Sequence, residues 1–454
     1  MRPLQAPRTL AIAAVLGAMA MVVLDAGVVA VALPTIAGAF AASPAQAMAV
    51  VTAYQTALVI ALLPSGALGE RLGHRRVFAG GVAVFALASA LCAGAPSLPS
   101  LAAARALQGL GGSAVMALGV ALLRQSVPDA RLGAAIGWNA TTVALTSAAA
   151  PSLGALIVTS APWPWLFALN LPLGAAILLA ARALPKPEGS ARPLDVVSMV
   201  LNGGLFGGFV LGVQLAPKSL AEAGAVLALA VGCLALLIRR EAPRPAPLFP
   251  LDLLRTPSLR ISAMASVCCF AGQSAGLLAL PFHLQHNLGL TPAAAGLYLT
   301  AWPLSVAAAA LAAGRLADRL PAAWLCAGGA GLLSAGLIAA AAWPPWGDAT
   351  ALIGFGALCG LGFGLFQTPN NRTIFLSAPA TRSGAAGGLQ GTARLTGQTA
   401  GALMLSTLFS LGPVDAAPRT GMALAAALAL AAGLVSLAGR PRAADLPSAT
   451  PQSP

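Results

Sequence analysis

The sequence predicts an all-helical protein that crosses a membrane many times, and three observations carry that prediction. Of its 454 residues, 58% are hydrophobic and 8% charged, against about 25% charged in a typical soluble domain. Apolar stretches of about 20 residues, the length that crosses a bilayer as a helix, recur from one end to the other. The basic residues between them fall almost entirely on alternate connections. An apolar soluble protein does not fit this composition.

Spans are expected at 10–33, 46–65, 77–95, 99–123, 132–157, 164–182, 195–215, 221–238, 259–281, 293–313, 321–342, 350–371, 384–411 and 420–438. Span 1 lacks a small-residue cleavage site and carries an acid, so it reads as a retained helix and not a signal peptide. Arg2 and Arg8 precede it. Arg71, Arg75 and Arg76 follow span 2, and Arg124 and Arg131 follow span 4. Arg182, Lys186 and Arg192 follow span 6, and Arg239, Arg240, Arg244, Arg255 and Arg260 follow span 8. Arg315 and Arg319 follow span 10, Arg372 and Arg382 span 12, Arg440 and Arg442 span 14. The opposite connections hold only Lys218 and Arg419, while Arg105 and Arg394 lie inside spans. The positive-inside rule then sets both termini in the cytoplasm. The net charge of +13 is thereby topological, and a nucleic-acid partner is not expected. The six cysteines all fall inside apolar stretches without ligand spacing and read as packing residues. No metal site is expected.

One phrase occurs twice: Gly66-Ala67-Leu68-Gly69-Glu70-Arg71-Leu72 returns as Gly314-Arg315-Leu316-Ala317-Asp318-Arg319-Leu320. Both copies follow the second span of a six-span half if spans 7 and 8 are an insert. Duplication of this kind in a membrane chain points to a transporter with its binding site between the halves. The expected organisation is a bundle at 1–187, two inserted helices at 188–245, a second bundle at 246–440 and a disordered cytoplasmic tail at 441–454. The prolines Pro243, Pro245, Pro247 and Pro250 mark 239–258 as a linker.

The first hairpin, continued by Gly73-His74-Arg75-Arg76, resembles the cytoplasmic hairpin signature of the major facilitator superfamily, with Glu70 where Asp is usual. Leu24-Asp25 followed by Ala32-Leu33-Pro34 resembles the first-helix motif of the fourteen-helix drug:proton antiporters, with Gly27 and Ala30 in place of its Thr and Asn. Arg105-Ala106-Leu107-Gln108-Gly109-Leu110-Gly111 is similar to the fourth-helix motif, whose arginine the family implicates in proton coupling. Ala150-Pro151-Ser152-Leu153-Gly154 resembles the antiporter motif of helix 5, with Ala150 and Ala155 replacing glycines. Trp163-Pro164-Trp165-Leu166-Phe167 with Asn170-Leu171-Pro172-Leu173-Gly174, and Gln367-Thr368-Pro369-Asn370-Asn371, fit the start of helix 6 and the end of helix 12. The resemblance covers almost the whole chain. It implies a major facilitator fold of two six-helix bundles plus two inserted helices, a monomer in the bacterial cell (inner) membrane, and multidrug efflux.

Asp25 is the one acid set deep inside a span. Burying a carboxylate at mid-membrane costs roughly 2.5–3.5 kcal/mol on insertion scales, so it is paired, protonated or functional. Proton binding and cation recognition are the functional readings, and a carboxylate locked to a neighbouring helix is the structural one. Asp25 and Arg105 lie at comparable depth below the outer ends of their antiparallel spans, and the family fold sets both on one cavity. Arg105 is expected either to modulate the charge of Asp25 or to brace backbone carbonyls. Arg394, with Gln398 one turn on, fits a cavity role and a packing role equally. Tyr54, Gln55, Trp138, Asn139, Gln273, Tyr298, Trp302, Gln367 and Asn370 complete a set that suits an apolar pocket with few polar anchors, and hence an amphipathic substrate. Gly66, Glu70, Arg71, Gly73, Arg75, Arg76, Asp318 and Arg319 form an expected cytoplasmic gate, or else anchor topology.

No nucleotide-binding loop is present, so no cofactor is expected and the drive must be an ion gradient. One proton crossing 100 mV supplies about 2.3 kcal/mol. The spans hold no paired-carboxylate, Ser/His or metal constellation, which argues against an enzyme. The leading expectation is a proton antiporter exporting lipophilic or amphipathic toxic compounds. A dedicated exporter of one metabolite, and a non-transporting sensor or scaffold, are the alternatives.

Overall fold

Apolar runs of this length satisfy every backbone donor and acceptor internally only as helices, because lipid offers no hydrogen bonds. The computed structural model describes residues 6–185, 194–244, 247–344, 347–379 and 382–439. Among these residues there are sixteen α-helices and no strand. They are α1 (Ala6–Ala39), α2 (Pro44–Ala47), α3 (Ala49–Leu72), α4 (His74–Ala93), α5 (Leu98–Ser126), α6 (Asp129–Ser160), α7 (Trp165–Ala168), α8 (Asn170–Ala180), α9 (Val196–Leu215), α10 (Leu220–Glu241), α11 (Pro257–Phe282), α12 (Pro292–Leu316), α13 (Ala322–Ala342), α14 (Ala351–Ser377), α15 (Ser383–Leu411) and α16 (Ala417–Ala438). The expected tail at 441–454 and the connection around 187–192 lie outside the described residues.

Helix starts follow local chemistry. Ser43 and Ser97 close capping boxes with Gln46 and Ser100, and Ser219 and Thr291 accept from the backbone amides of Glu222 and Ala294. Prolines occupy the first turn of α2, α5, α11, α12 and α16, where a missing amide hydrogen costs nothing. Thirteen helical segments are long and apolar enough to cross a bilayer. The fourteenth expected span is α15, which has 29 residues but is diluted by Arg394, Gln390, Gln398, six glycines and four threonines. Such a helix is tolerable only where protein and not lipid surrounds it.

Two details differ from expectation. Span 6 is broken at Leu169 into α7 and α8. The two copies of the repeated phrase differ: the second leaves α12 after Leu316 and continues as a turn, whereas Gly66–Leu72 is about the last two turns of α3, and only Gly73, with φ of 96°, makes the turn into α4. That left-handed conformation favours glycine.

The helices α1, α3, α4, α5, α6 and α8 pack into one bundle and α11 to α16 into another. The duplication is visible in their crossings. A Cβ on Gly111 of α5 would meet the Gly81 carbonyl of α4 at 2.6 Å, and a Cβ on Gly329 of α13 would meet the Gly362 carbonyl of α14 at 2.6 Å. Likewise Gly109 lies against the Tyr54 carbonyl and Gly360 against the Trp302 carbonyl. The chain separation between the two hairpins also separates Tyr54 from Trp302 and Gly81 from Gly329. Because the obstacles at Gly111 are backbone atoms, Gly111→Val is expected to lose about 1–3 kcal/mol or more from overpacking, read as a lower unfolding temperature in detergent. An unchanged transition would contradict this crossing.

Helices α9 and α10 pack on each other, and α9 docks on α3 and α15. Asn202 Nδ2 donates to the Ile60 carbonyl at 2.8 Å and Gln214 Nε2 to Thr52 Oγ1 at 3.1 Å. Their arginine-rich end is clamped by Asp195, Ser198, buried Glu241, Arg240 and Arg244. The bundles meet through α1 with α11, α3 with α15, and α6 with α12. At the arginine-poor end, Ser152 and Thr300 hydroxyls lie 2.6 Å apart and Gln285 Nε2 donates to the Val31 carbonyl at 3.2 Å.

Candidate functional site

A carboxylate, a guanidinium and three neutral polar side chains meet inside the first bundle. Asp25 of α1 and Arg105 of α5 are each 1% exposed. Arg105 Nη1 donates to Asp25 Oδ2, forming a direct ion pair. Gln108 Nε2 and Asn170 Nδ2 each donate to Asp25 Oδ1 at 2.8 Å. Both amides also reach Ser89 Oγ, at 2.8 and 3.2 Å, and Ser89 donates to the Phe85 carbonyl at 2.8 Å. Arg105 Nη1 donates further to Gln108 Oε1, and Nε to the Val50 carbonyl at 3.3 Å. Its guanidinium carbon lies 4.1 Å from the Tyr54 ring centre and 5.7 Å from that of Phe167.

Five helices therefore contribute: α1, α3, α4, α5 and α8. The geometry explains how so polar a cluster survives in an apolar bundle. Both charges are paired, both Asp25 oxygens accept, and the arginine gains two ring faces. Chemically, such a carboxylate can take or release a proton, and protonation removes the charge that holds Arg105. The break between α7 and α8 sets Asn170 at the start of α8, aimed at Asp25. Gln108, Ser89 and Asn170 were not among the residues expected from sequence. Gln108 was the most accessible of them, three residues beyond Arg105 and so on the same helical face.

The expected pocket residues are distributed unevenly. Buried atoms without a hydrogen-bond partner include Tyr54 Oη, Gln55 Oε1, Asn139 Oδ1, Gln273 Oε1, Trp302 Nε1 and Arg394 Nε. Trp302 is fully enclosed, Tyr298 packs against the larger apolar core, and Gln367 is half-buried. Asn370 is spent within the second bundle, donating to Ser266 Oγ at 2.7 Å and the Ser262 carbonyl at 3.3 Å. The Gln398 carbonyl accepts from Ser274, joining α15 to α11. Trp138 is 64% exposed on α6.

Pro151 and Gly154 lie where α6 meets both bundles. A Cβ on Gly154 would sit 2.9 Å from the Val28 backbone of α1, and the Pro151 carbonyl faces Gly296 of α12. At the arginine-rich end, Gly66 and Gly73 flank the last turn of α3, and Glu70, Arg71 and Arg76 are exposed. Arg75 Nη1 donates to the Leu184 carbonyl at 3.3 Å. Asp318 pairs with Arg372 at 2.7 Å within its own bundle, and Arg319 is exposed. Glu70 pairs with no described residue. The described hairpin contacts thus stay within one bundle each.

Comparison with known proteins bears on this arrangement. The family model described as "Major Facilitator Superfamily" matches residues 15–259 and 262–454. The chain is 43% identical over 403 residues to "Uncharacterized transporter YebQ" of Escherichia coli (strain K12), covering 86% of this chain and 87% of that protein. It is 32% identical over 427 residues to "Tetracenomycin C resistance and export protein" of Streptomyces glaucescens, covering 91% and 77%. Its fold resembles a crystal structure of a bacterial homologue of the human lysosomal transporter Spinster, in an inward-facing and unoccupied conformation. The TM-score is 0.69 at 14% identity, with 96% and 98% of the two chains covered.

Proposed function

This chain belongs to the major facilitator superfamily, and from that premise we propose that it exports lipophilic or amphipathic compounds in exchange for protons. It is a multi-pass membrane transporter, not an enzyme. The observation that carries the coupling is the Asp25–Arg105 pair, buried at 1% exposure between helices and tied to Gln108 and Asn170. A proton arriving on Asp25 neutralises it. Arg105 then loses its partner but keeps the Tyr54 ring and the Val50 carbonyl on α3. Because α3 packs on α15 of the other bundle, a change at the pair reaches the interface that must rock during alternating access.

Export is the direction supported by the relative named for tetracenomycin C resistance and export. That name also favours the second reading, a dedicated exporter of one compound. On the positive-inside rule the arginine-rich end is cytoplasmic, in keeping with a bacterial inner-membrane location and with Glu70 and Asp318 guarding the inner opening. The test is uptake of amphipathic dyes into everted vesicles carrying the protein. Accumulation driven by a proton gradient and collapsed by a protonophore is expected. Accumulation that survives the protonophore would sink proton exchange.

The hairpin reading has its own test. Glu70→Lys is expected to reduce transport severalfold while membrane insertion stays at the level of the parent protein. Parallel losses of both, followed by immunoblot of the membrane fraction and dye efflux, would reduce the hairpin to an anchor.

A further inference from the structure

Every side chain bonded to Asp25 is a donor. Arg105 Nη1 reaches Oδ2, and Gln108 Nε2 and Asn170 Nδ2 each reach Oδ1 at 2.8 Å. The second hydrogens of the two amides go to one atom, Ser89 Oγ, at 2.8 and 3.2 Å. Asp25 Oδ1, Gln108 Nε2, Ser89 Oγ and Asn170 Nδ2 therefore close a ring of hydrogen bonds drawn from α1, α5, α4 and α8. No residue of the ring is more than 2% exposed.

The direction of each bond in the ring is dictated. A guanidinium only donates, so Arg105 takes Gln108 Oε1 and leaves that amide's N–H groups for Asp25 and Ser89. Ser89 gives its one hydrogen to the Phe85 carbonyl at 2.8 Å and spends both lone pairs on the amides. Asn170 turned over would set its oxygen against a carboxylate and against a hydroxyl with no hydrogen left to give. Pro172 shapes this edge of the ring. It has no amide hydrogen to return to the Ala168 carbonyl, so α7 ends at Ala168 and Asn170 opens α8.

A ring of donors fits one charge state. A proton added to either Asp25 oxygen turns the carboxylate into a neutral carboxyl, whose O–H needs an acceptor. Arg105, Gln108 and Asn170 offer none as they stand. Turning the Gln108 amide supplies one, and that requires Arg105 to release Oε1 first. We infer that Asn170 and Ser89 are positioning residues for proton exchange: with Gln108 they close a ring that holds the Asp25 carboxylate and has to open before Asp25 carries a proton. This rests on the proton-exchange reading for its biological meaning. The other ionisable groups at the cluster are Tyr54 of α3, whose ring centre lies 4.1 Å from the Arg105 guanidinium carbon, and Cys92 of α4, whose Sγ lies 3.9 Å from Gln108 Oε1. Beyond Arg131, α6 holds no ionisable residue, and neither do α7 and α8. Those of α11 and α12, which also pack on α1, are Arg260, Cys268, Cys269, Tyr298 and Arg315. None of these shares a hydrogen bond or ion pair with the cluster among the described residues.

The test is infrared spectroscopy of the full chain in detergent, titrated with acid. The carboxylic C=O band that Asp25→Asn removes reports the proton on Asp25. Taking a donor away from a carboxylate favours the neutral acid. Asn170→Leu should therefore move the midpoint of that band to higher pH by about one unit or more. Ser89→Ala, which frees both amides to swing away, should move it the same way by less. Because Ser89→Ala only removes an atom, it carries the test if Asn170→Leu does not fold. A merely structural role would lower the unfolding temperature and leave the midpoint in place. One midpoint shared by the parent and both variants, or no such band in any of them, would overturn the ring. Dye uptake into everted vesicles separates this from the exchange reading. A shifted midpoint in a protein that takes up no dye would remove the exchange reading and leave the ring standing. Proton-driven uptake with an unshifted midpoint would do the reverse.

Discussion

Asp25→Asn is expected to reduce proton-driven efflux to the level of vesicles lacking the protein, while the protein remains in the membrane at normal amounts. The substitution keeps the shape of the side chain and one oxygen to accept from Gln108 or Asn170. It removes the only ionisable group in the cluster that can cycle between charged and neutral, since arginine does not deprotonate. Arg105 loses its counter-charge and stability falls, but the Tyr54 ring and the Val50 carbonyl still hold the guanidinium, so insertion should survive and coupling should not. The measurement is dye accumulation in everted vesicles alongside quantification of the protein in the same membranes. Undiminished accumulation with Asn at this position would remove Asp25 from the mechanism.

Arg105→Ala should be the most damaging single change to stability in the first bundle. It leaves the Asp25 carboxylate, at 1% exposure, without its cation. Breaking a buried pair from one side costs about 3–5 kcal/mol, and the loss of the Tyr54 face adds to it. The double variant Asp25→Asn with Arg105→Gln has no uncompensated charge and is expected to regain most of the lost unfolding temperature. It should remain inactive in transport. Intrinsic tryptophan fluorescence during thermal unfolding in detergent reads the first effect, and efflux reads the second. If the double variant were no more stable than Arg105→Ala alone, the pair would not be the source of the instability.

The fold was largely legible from one physical fact. Lipid admits only helices at these lengths, so apolar runs and alternating arginines give the number of crossings with little ambiguity. The exception shows the limit of that logic. α15 is polar because it lies between bundles, and a count by apolarity alone stops at thirteen. Asp25 and Arg105 stood out because charges are expensive inside spans. Their neighbours did not, because Ser89, Gln108 and Asn170 are neutral, and single polar residues in membrane helices carry little cost. Only the folded arrangement shows five helices converging on one carboxylate. Span 2 was ended at residue 65, where charge begins to interrupt the apolar run, whereas α3 continues to Leu72 and turns at Gly73 alone.

The duplication also gained content. The correspondence of Tyr54 with Trp302, each with its carbonyl against a glycine of a neighbouring helix, aligns α3 with α12 at the separation of the two hairpins. Along that register Asp25 corresponds to Gln273, whose Oε1 is buried and unpartnered. The second bundle thus has no acid at the place of Asp25, and the proposed coupling is asymmetric between the halves.

The central claim is that proton movement through Asp25 is tied to movement of the cargo. Purified protein in proteoliposomes, with a pH-sensitive dye inside and the membrane potential clamped, tests it most directly. Adding an exported amphipathic compound to one side should move protons in the opposite direction, and Asp25→Asn should abolish that counterflow. Cargo movement with no proton counterflow in the parent protein would contradict the account.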